Sequence, residues 1–379
     1  MYEHDESLAW ATLARAPALD IERITRAIEL LGSPRAVVSA SAADCGLAGI
    51  PTRAQEFLMS AAALPDAAAQ HWLSHERHHL LPFADPRFPR SLRALPRCPV
   101  ALYVCGNVGA LADPQLAVVG SRNPTAQGSD TAFEFAEYLA ERGLGITSGL
   151  AEGIDASAHR GALSGQGITL GVLGNGIDLI YPAINTGLYD QVRAQGALIS
   201  EFSPGTPPRR GNFPERNRII AALGLGTLVV EAARRSGSLI TARLAGTLGR
   251  AVLAIPGSIH NPMSRGCHEL IKAGATLVEN PEDVLRQLNF SAFFATGLRA
   301  PAGPASPFAG TAGMDKEHKI LLDALGFDPV DLDTLIVRTG FKPEAVSSMV
   351  LILELEGHVQ AAPGGRYSRV ANRRAGGER

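Results

Sequence analysis

The chain has 379 residues, 46% hydrophobic and 19% charged, a composition that builds at least one large core and excludes a disordered polymer. Its formal net charge of −2 excludes a uniformly basic nucleic-acid binder but leaves room for a local basic face. Four cysteines without CxxC spacing (Cys45, Cys98, Cys105 and Cys267) exclude a disulfide framework and suit reduced thiols.

At this length two or three domains are expected, since domains run about 100–200 residues. The opening MYEHDESLAW is acidic and lacks the apolar stretch of a signal peptide. The longest uncharged apolar run, 219–230, falls short of the roughly 20 residues a membrane span needs, so a soluble, cytoplasmic protein is expected. Residues 1 to about 75 are Ala- and Leu-rich with helical periodicity, for example Ile21–Leu31, and read as a small helical domain. Gly46 and Gly49–Ile50–Pro51 mark a turn between helices. His75–Glu76–Arg77–His78–His79 satisfies the zinc-protease pattern HExxH. That chemistry needs both histidines inside a stable helix and a third ligand, and Pro82 closes the segment three residues on. A solvated polar connector is expected there, followed by a Pro-rich, irregular stretch over 82–115 that ends in the apolar run 101–105.

Alternation then begins. Apolar strands are predicted at 116–120, 145–148, 168–173, 197–201, 227–231, 251–255 and 276–279, with helices between them such as 126–142 and 239–249. This spacing implies an α/β fold with a mostly parallel sheet covered on both faces. Residues 291–314, rich in Ala, Gly and Pro, read as a flexible linker. Helices predicted at 316–325, 329–338 and 343–356, then a hairpin around Gly364–Gly365, form a winged-helix pattern.

In a parallel sheet, ligands bind beyond the carboxyl ends of the strands. Those ends carry Gly120–Ser121–Arg122–Asn123, Ser148–Gly149, Gly174–Asn175–Gly176, Glu201–Phe202–Ser203–Pro204–Gly205 and Ser236–Gly237–Ser238, the last leading into Thr241. Glycines admit close anion approach, helix N-termini offer unpaired donors, and the hydroxyls of Ser121, Ser148, Ser236 and Ser238 could add more. Together they read as a phosphate pocket. GxGxxG and GxxxxGK[ST] are missing, which argues against a dinucleotide or P-loop ATP. No GxSxG elbow is present and no histidine lies in these loops to act as a base. Asp155 and Glu201 are candidates for acid–base work, though helix capping and loop hydrogen bonding are favoured for them. Between 209 and 265 stand nine arginines (209, 210, 216, 218, 234, 235, 243, 250 and 265) against two acids and no lysine, a local net charge of +7. This suits a polyanion better than one small phosphate. Phe213, between arginines and Pro214, reads either as a base-stacking platform or as a core residue opening the next helix. Stacking selects single strands, whose bases expose their faces.

Val119–Gly120–Ser121–Arg122, Ser148–Gly149–Leu150–Ala151–Glu152–Gly153–Ile154–Asp155, Glu201–Phe202–Ser203–Pro204–Gly205, Asn212–Phe213–Pro214–Glu215–Arg216–Asn217–Arg218 and Ser236–Gly237–Ser238–Leu239–Ile240–Thr241–Ala242 together resemble the DprA/Smf (DNA-processing protein A) family. Pro256–Gly257–Ser258–Ile259–His260–Asn261–Pro262 and Ser264–Arg265–Gly266–Cys267 add to the likeness, which covers roughly 85–290. The resemblance implies an extended Rossmann-like core (81–290) between a helical, SAM-like domain (1–80) and a winged-helix domain (315–379). It also implies a non-enzymatic protein that binds single-stranded DNA, protects incoming DNA during natural transformation (competence), loads the RecA recombinase and forms a homodimer through the core. No cofactor or metal is implied. By similarity Arg122 would grip a phosphate, Phe213 would stack a base and Arg210 would contact the backbone. The remaining DNA-contact candidates are Gly120, Ser121, Ser148, Gly149, Arg216, Asn217, Arg218, Ser236, Gly237, Ser238, Thr241 and Arg243. The competing reading is a phosphoribohydrolase-like enzyme acting on a nucleoside monophosphate. It needs a PGGxGTxxE loop; Gly226–Thr227 are present without the preceding Pro-Gly-Gly, and Glu231 follows one residue beyond the motif's spacing.

The tail departs from a DNA-reading winged helix. Nine acids face four bases over 315–362, and the third helix carries Glu344, Glu354 and Glu356 against only Lys342. Acidic helices repel phosphates, so this module is expected to contact protein or fold back on the basic core. Arg366, Arg369, Arg373 and Arg374 could still touch DNA weakly.

Overall fold

The structure, a computed structural model, describes residues 4–60, 63, 67–290, 316–326 and 328–370. These fall into two compact units, one up to residue 290 and one from residue 316. The expected linker 291–314 and Arg373 and Arg374 lie outside the described residues.

The first unit opens with six helices, α1 (His4–Arg15), α2 (Ile21–Leu31), α3 (Pro34–Val38), α4 (Ala42–Leu47), α5 (Thr52–Leu58) and α6 (Ala67–Leu73). Local chemistry marks their starts: Asp20, Ser33 and Ser41 each accept a backbone N–H from the first turn of the helix that follows. Leu13, Ile24 and Trp72 from these helices share one apolar cluster with Leu80, Tyr103 and Leu150 of the sheet region. The expected domain boundary after residue 80 falls inside a strand.

The stretch expected as connector and irregular chain contains two strands, β1 (His78–Pro82) and β2 (Ala101–Gly106), with the short α7 (Arg90–Arg93) between them. They pair antiparallel, His78 opposite Cys105 and Pro82 opposite Ala101. Pro82 misled the sequence reading because β1 is an edge strand, where a missing N–H costs no ladder bond. Then follow β3 (Gln115–Val119), α8 (Ala126–Glu141), β4 (Gly145–Ser148), α9 (Ile154–Ser164), β5 (Thr169–Val172), α10 (Thr186–Gln195), β6 (Ala197–Ser200), α11 (Asn212–Leu223), β7 (Gly224–Val229), α12 (Ser238–Thr247), β8 (Ala251–Ala254), α13 (Arg265–Lys272), β9 (Thr276–Leu277) and α14 (Pro281–Gln287).

The sheet order is β1-β2-β6-β5-β4-β3-β7-β8-β9, parallel from β6 to β9, with β2 antiparallel to β6. The buried strand β3 shows why its sequence is apolar throughout. Leu116 and Val118 pack on one face with Phe135 and Leu139 of α8, while Ala117 and Val119 pack on the other with Ile219 and Ile220 of α11. Such two-sided burial removes the polar alternation of a half-exposed strand. From β3 the chain winds outward through β4, β5 and β6, then returns through α11 to place β7 on the other side of β3. The strand order therefore reverses between β3 and β7, the position where open α/β sheets bind ligands.

The second unit is a winged helix: α15 (Lys316–Leu325), β10 (Val330–Asp331), α16 (Leu332–Thr339), α17 (Pro343–Leu355), β11 (Val359–Ala362) and β12 (Arg366–Arg369), with sheet order β10-β12-β11. Leu321, Leu335, Val346 and Leu353 form its core, and the outer face of α17 exposes Leu351 and Leu355 beside Glu344.

Candidate nucleic-acid interface

Two loop residues and one from the first turn of α11 form a row over the carboxyl ends of β3, β4 and β5. Arg122, in the loop after β3, places its guanidinium carbon 5.4 Å from the centroid of the Phe213 ring. Phe213 opens α11 and is half-buried. Its ring seats over Gly174 after β5, where a side chain would collide with it. Tyr181, in the same loop as Gly174, stands 5.7 Å from Phe213 with the rings tilted by 39°. The guanidinium over an aromatic face gains cation–π attraction of about 0.5–1 kcal/mol at exposed sites. Arg122 is exposed, as are Arg209 and Arg210 just before α11. The sequence reading missed Tyr181. Its only local signal is an aromatic in the uncharged run Leu179–Ile180–Tyr181–Pro182 beyond a strand end.

Below the row, Arg216 does different work from the phosphate contact expected of it. It is 4% exposed, and its Nη1 donates to the carbonyl of Gly149 at 2.7 Å and to that of Val172. The guanidinium occupies the space a Gly149 side chain would need, so α11 is pinned to the ends of β4 and β5. Asp155, also buried, accepts the Gly149 N–H at 3.1 Å, and its charge supports that of Arg216. Burial raises the Asp155 carboxyl above the usual carboxylate range, with Arg216 and nearby amides pulling the other way.

Arg218 also departs from expectation. It points to the opposite side of α11, into a cleft with Cys98 and Leu19, and binds both carboxylate oxygens of Glu201 through Nη2, at 2.6 Å to Oε1. Arg122 and Phe213 thus share a cleft that Arg218 does not enter, because five residues along a helix reverse the face.

The expected hydroxyl and helix-terminus donors are largely taken up by the protein itself. Ser148 is fully buried and donates to the Val118 carbonyl at 2.6 Å. Thr241 is buried too, facing the core side of α12. Ser121 Oγ accepts the Asn123 N–H at 3.1 Å and contacts Met263 Sδ at 3.6 Å. Ser236 and Ser238 bond each other at 2.5 Å, and Ser238 is itself buried. Gly120 lies tight against Ile154 of α9. At the switch point, Glu231 accepts the Thr125 N–H at 2.9 Å and the Thr125 hydroxyl at 2.7 Å. A protein carboxylate therefore occupies the N-terminus of α8, where a nucleotide-binding Rossmann domain would hold phosphate. Asn217 is half-exposed on α11, and Gly237 and Arg243 are exposed at and within α12. Arg235 is exposed and Arg234 pairs with Glu269 at 2.8 Å, so an arginine surface does continue beyond β7.

The remaining candidates for covalent chemistry are engaged. Glu201 is paired with Arg218, and Glu231, the acid the phosphoribohydrolase reading retained, caps Thr125. Burial pushes the Cys267 thiol up to about 12 and the Cys98 thiol up to about 11. The HExxH histidines do not share a helix: α6 ends at Leu73 and His78 and His79 lie in β1, so the motif has no zinc-site geometry. Among the described residues no group of three or more His, Cys, Asp or Glu side chains is placed to hold a metal ion. No described helix is long and apolar enough to cross a membrane.

A family model for DNA recombination-mediator protein A matches residues 79–289, the segment that builds this row and its sheet. The chain belongs to that family. A second model, the DprA winged helix domain, matches residues 300–365. Protein Smf of Escherichia coli (strain K12) is 44% identical over 297 residues, covering 78% of this chain and 78% of that protein. The DNA processing protein DprA of Streptococcus pneumoniae is 45% identical over 206 residues, 54% of this chain and 73% of that one. The X-ray structure of the Streptococcus pneumoniae protein superposes with a TM-score of 0.64 at 35% identity, covering 76% of this chain and 98% of that one. DNA processing protein A from Helicobacter pylori, whose structure describes a single-stranded DNA binding mode, superposes at 0.52 with 29% identity, covering 57% of this chain and 98% of that one. The DNA recombination-mediator protein A family is one of DNA-processing proteins and not of enzymes, which fits a site whose carboxylates are spent on holding loops.

Proposed function

We propose that this chain binds single-stranded DNA along the carboxyl edge of its parallel sheet, protects it, and mediates its transfer to the RecA recombinase during transformation and recombination. The observation that carries the reading is the Arg122 guanidinium over the half-exposed Phe213 ring. A cation beside an aromatic face suits a strand that offers a phosphate and an unpaired base together. Exposed Arg209, Arg210, Arg235 and Arg243 supply further positive charge for the backbone. Gly120, Ser121, Asn217, Ser236 and Gly237 remain candidates for backbone contacts from the loop surface. Family membership and the Helicobacter pylori relative support the same ligand. Homodimerisation through the sheet domain and the contact with RecA are part of this proposal.

The test titrates labelled oligo(dT) and a matched duplex at several salt concentrations. Preference for the single strand, with affinity falling steeply as salt rises, is the expected result. Equal binding of both forms would overturn it. Addition of the recombinase to the protein–oligonucleotide complex, with and without competing single-strand binding protein, tests the loading step.

A further inference from the structure

The row does not end at Phe213. Tyr181 extends it, and Ile180 and Ile184, close to it along the chain, are 41% and 78% exposed. Large apolar side chains left open on a ridge call for an occupant, or at least a reason. Asp178, the one ionisable side chain between Gly174 and Tyr181, is exposed and accepts the Gly205 N–H at 2.8 Å. The row thus carries a guanidinium at the Arg122 end and an aromatic ring at the Tyr181 end.

Tyr181 is held firmly despite its exposure. The hydroxyl of Tyr189, a buried residue of α10, donates to the Tyr181 carbonyl at 2.8 Å and accepts the Tyr181 N–H at 3.4 Å. Its backbone is clipped on both sides while the residue remains 43% exposed. A fixed, half-open ring spends little entropy on binding a flat ligand.

Building on the function proposed above, we infer that Tyr181 is a second base-stacking platform, so that two successive nucleotides ride the row from Arg122 to Tyr181. The two ring centroids stand 5.7 Å apart, whereas stacked nucleotides rise about 3.4 Å per step. Two bases seated on the two rings are therefore pulled apart from each other. A duplex cannot open this way without unpairing, which adds single-strand selectivity to the capture of phosphate.

The experiment uses the full chain and three probes of equal length: oligo(dT), an abasic strand that keeps the phosphates, and a duplex. Tyr181→Ala is expected to weaken oligo(dT) binding about tenfold, the low end of what stacked bases contribute, with no change for the abasic strand or in salt dependence. Tyr181→Phe is expected to bind as the parent does. In Tyr181→Trp, the added indole fluorescence, read as the difference from the parent protein, is expected to be quenched by oligo(dT) and not by the abasic strand. Unchanged oligo(dT) affinity in Tyr181→Ala together with unquenched Tyr181→Trp overturns the inference. If Phe213→Ala is weakened in that case, the interface stands and Tyr181 only shields its neighbour. If the parent protein itself shows no preference for oligo(dT), the function proposed above fails with it. The Trp variant retains an aromatic ring, so it decides the matter even if the Ala variant folds poorly.

Discussion

Arg122 and Phe213 meet across the top of the sheet, guanidinium carbon to ring centroid 5.4 Å, although one follows β3 and the other opens α11. A charge and a stacking surface are thereby set side by side, and the two should fail differently when removed. Arg122→Ala is expected to lower affinity for oligo(dT) and reduce the slope of log affinity against log salt by about one. Phe213→Ala is expected to cost about 1–3 kcal/mol and leave that slope alone. Fluorescence anisotropy over a salt series separates them, and identical slopes in both variants would count against the assignment.

Arg216 should behave as a structural residue. Its guanidinium is buried on two carbonyls near Asp155, so Arg216→Ala leaves those groups without their partner. A loss of about 3–5 kcal/mol in urea unfolding is expected, by analogy with broken buried pairs. A variant that unfolds like the parent but loses one unit of salt slope would show that Arg216 reaches DNA after all.

Glu231 holds the start of α8 through Thr125. Glu231→Ala leaves the partly buried Thr125 N–H without its carboxylate and should destabilise the protein by about 1–3 kcal/mol. Urea midpoints measure this, and retention of the parent midpoint would show that water replaces the carboxylate without loss.

His159 sets an acid limit on stability. It is fully buried, its Nδ1 is 2.6 Å from the Thr169 hydroxyl, and burial lowers its pKa to about 3. The unfolded chain therefore binds this proton first, near pH 6.5. The stabilisation is fully present above that pH and is lost as pH falls toward 3, at about 1.4 kcal/mol per unit. His159→Gln should flatten the stability profile between pH 6.5 and 4. An unchanged slope in that variant would assign the acid sensitivity elsewhere.

The winged helix should contribute little to strand binding. The outer face of α17 shows Leu351 and Leu355 with Glu344, chemistry suited to protein rather than phosphate. Removal of 315–379 is expected to change oligo(dT) affinity by less than about tenfold, since acidic side chains add no phosphate contact. A hundredfold loss would place DNA on this module.

Periodicity picked out the N-terminal helices, the parallel strands from β3 on and the helices of the winged helix, because repeating patterns of apolar residues record which sides of an element face the core, but it missed β1 and β2 and drew a boundary where helices and sheet share one core. Glycine, serine and arginine at the strand ends pointed to the candidate interface, since loops beyond a sheet's carboxyl edge can gather them. Local sequence could not tell Arg122 from Arg216 or Arg218. All three lie in or beside strand-end motifs, and their fates differ because helix phase and the neighbours met across the fold leave one exposed, bury one on two carbonyls and pair one with Glu201. The same holds for Ser148, whose hydroxyl turned inward, and for Tyr181, whose ring partner Phe213 comes from the start of α11. Composition along the chain determined what kind of surface exists; three-dimensional packing decided which side chains own it, because burial of a polar group depends on partners that no short stretch of chain contains.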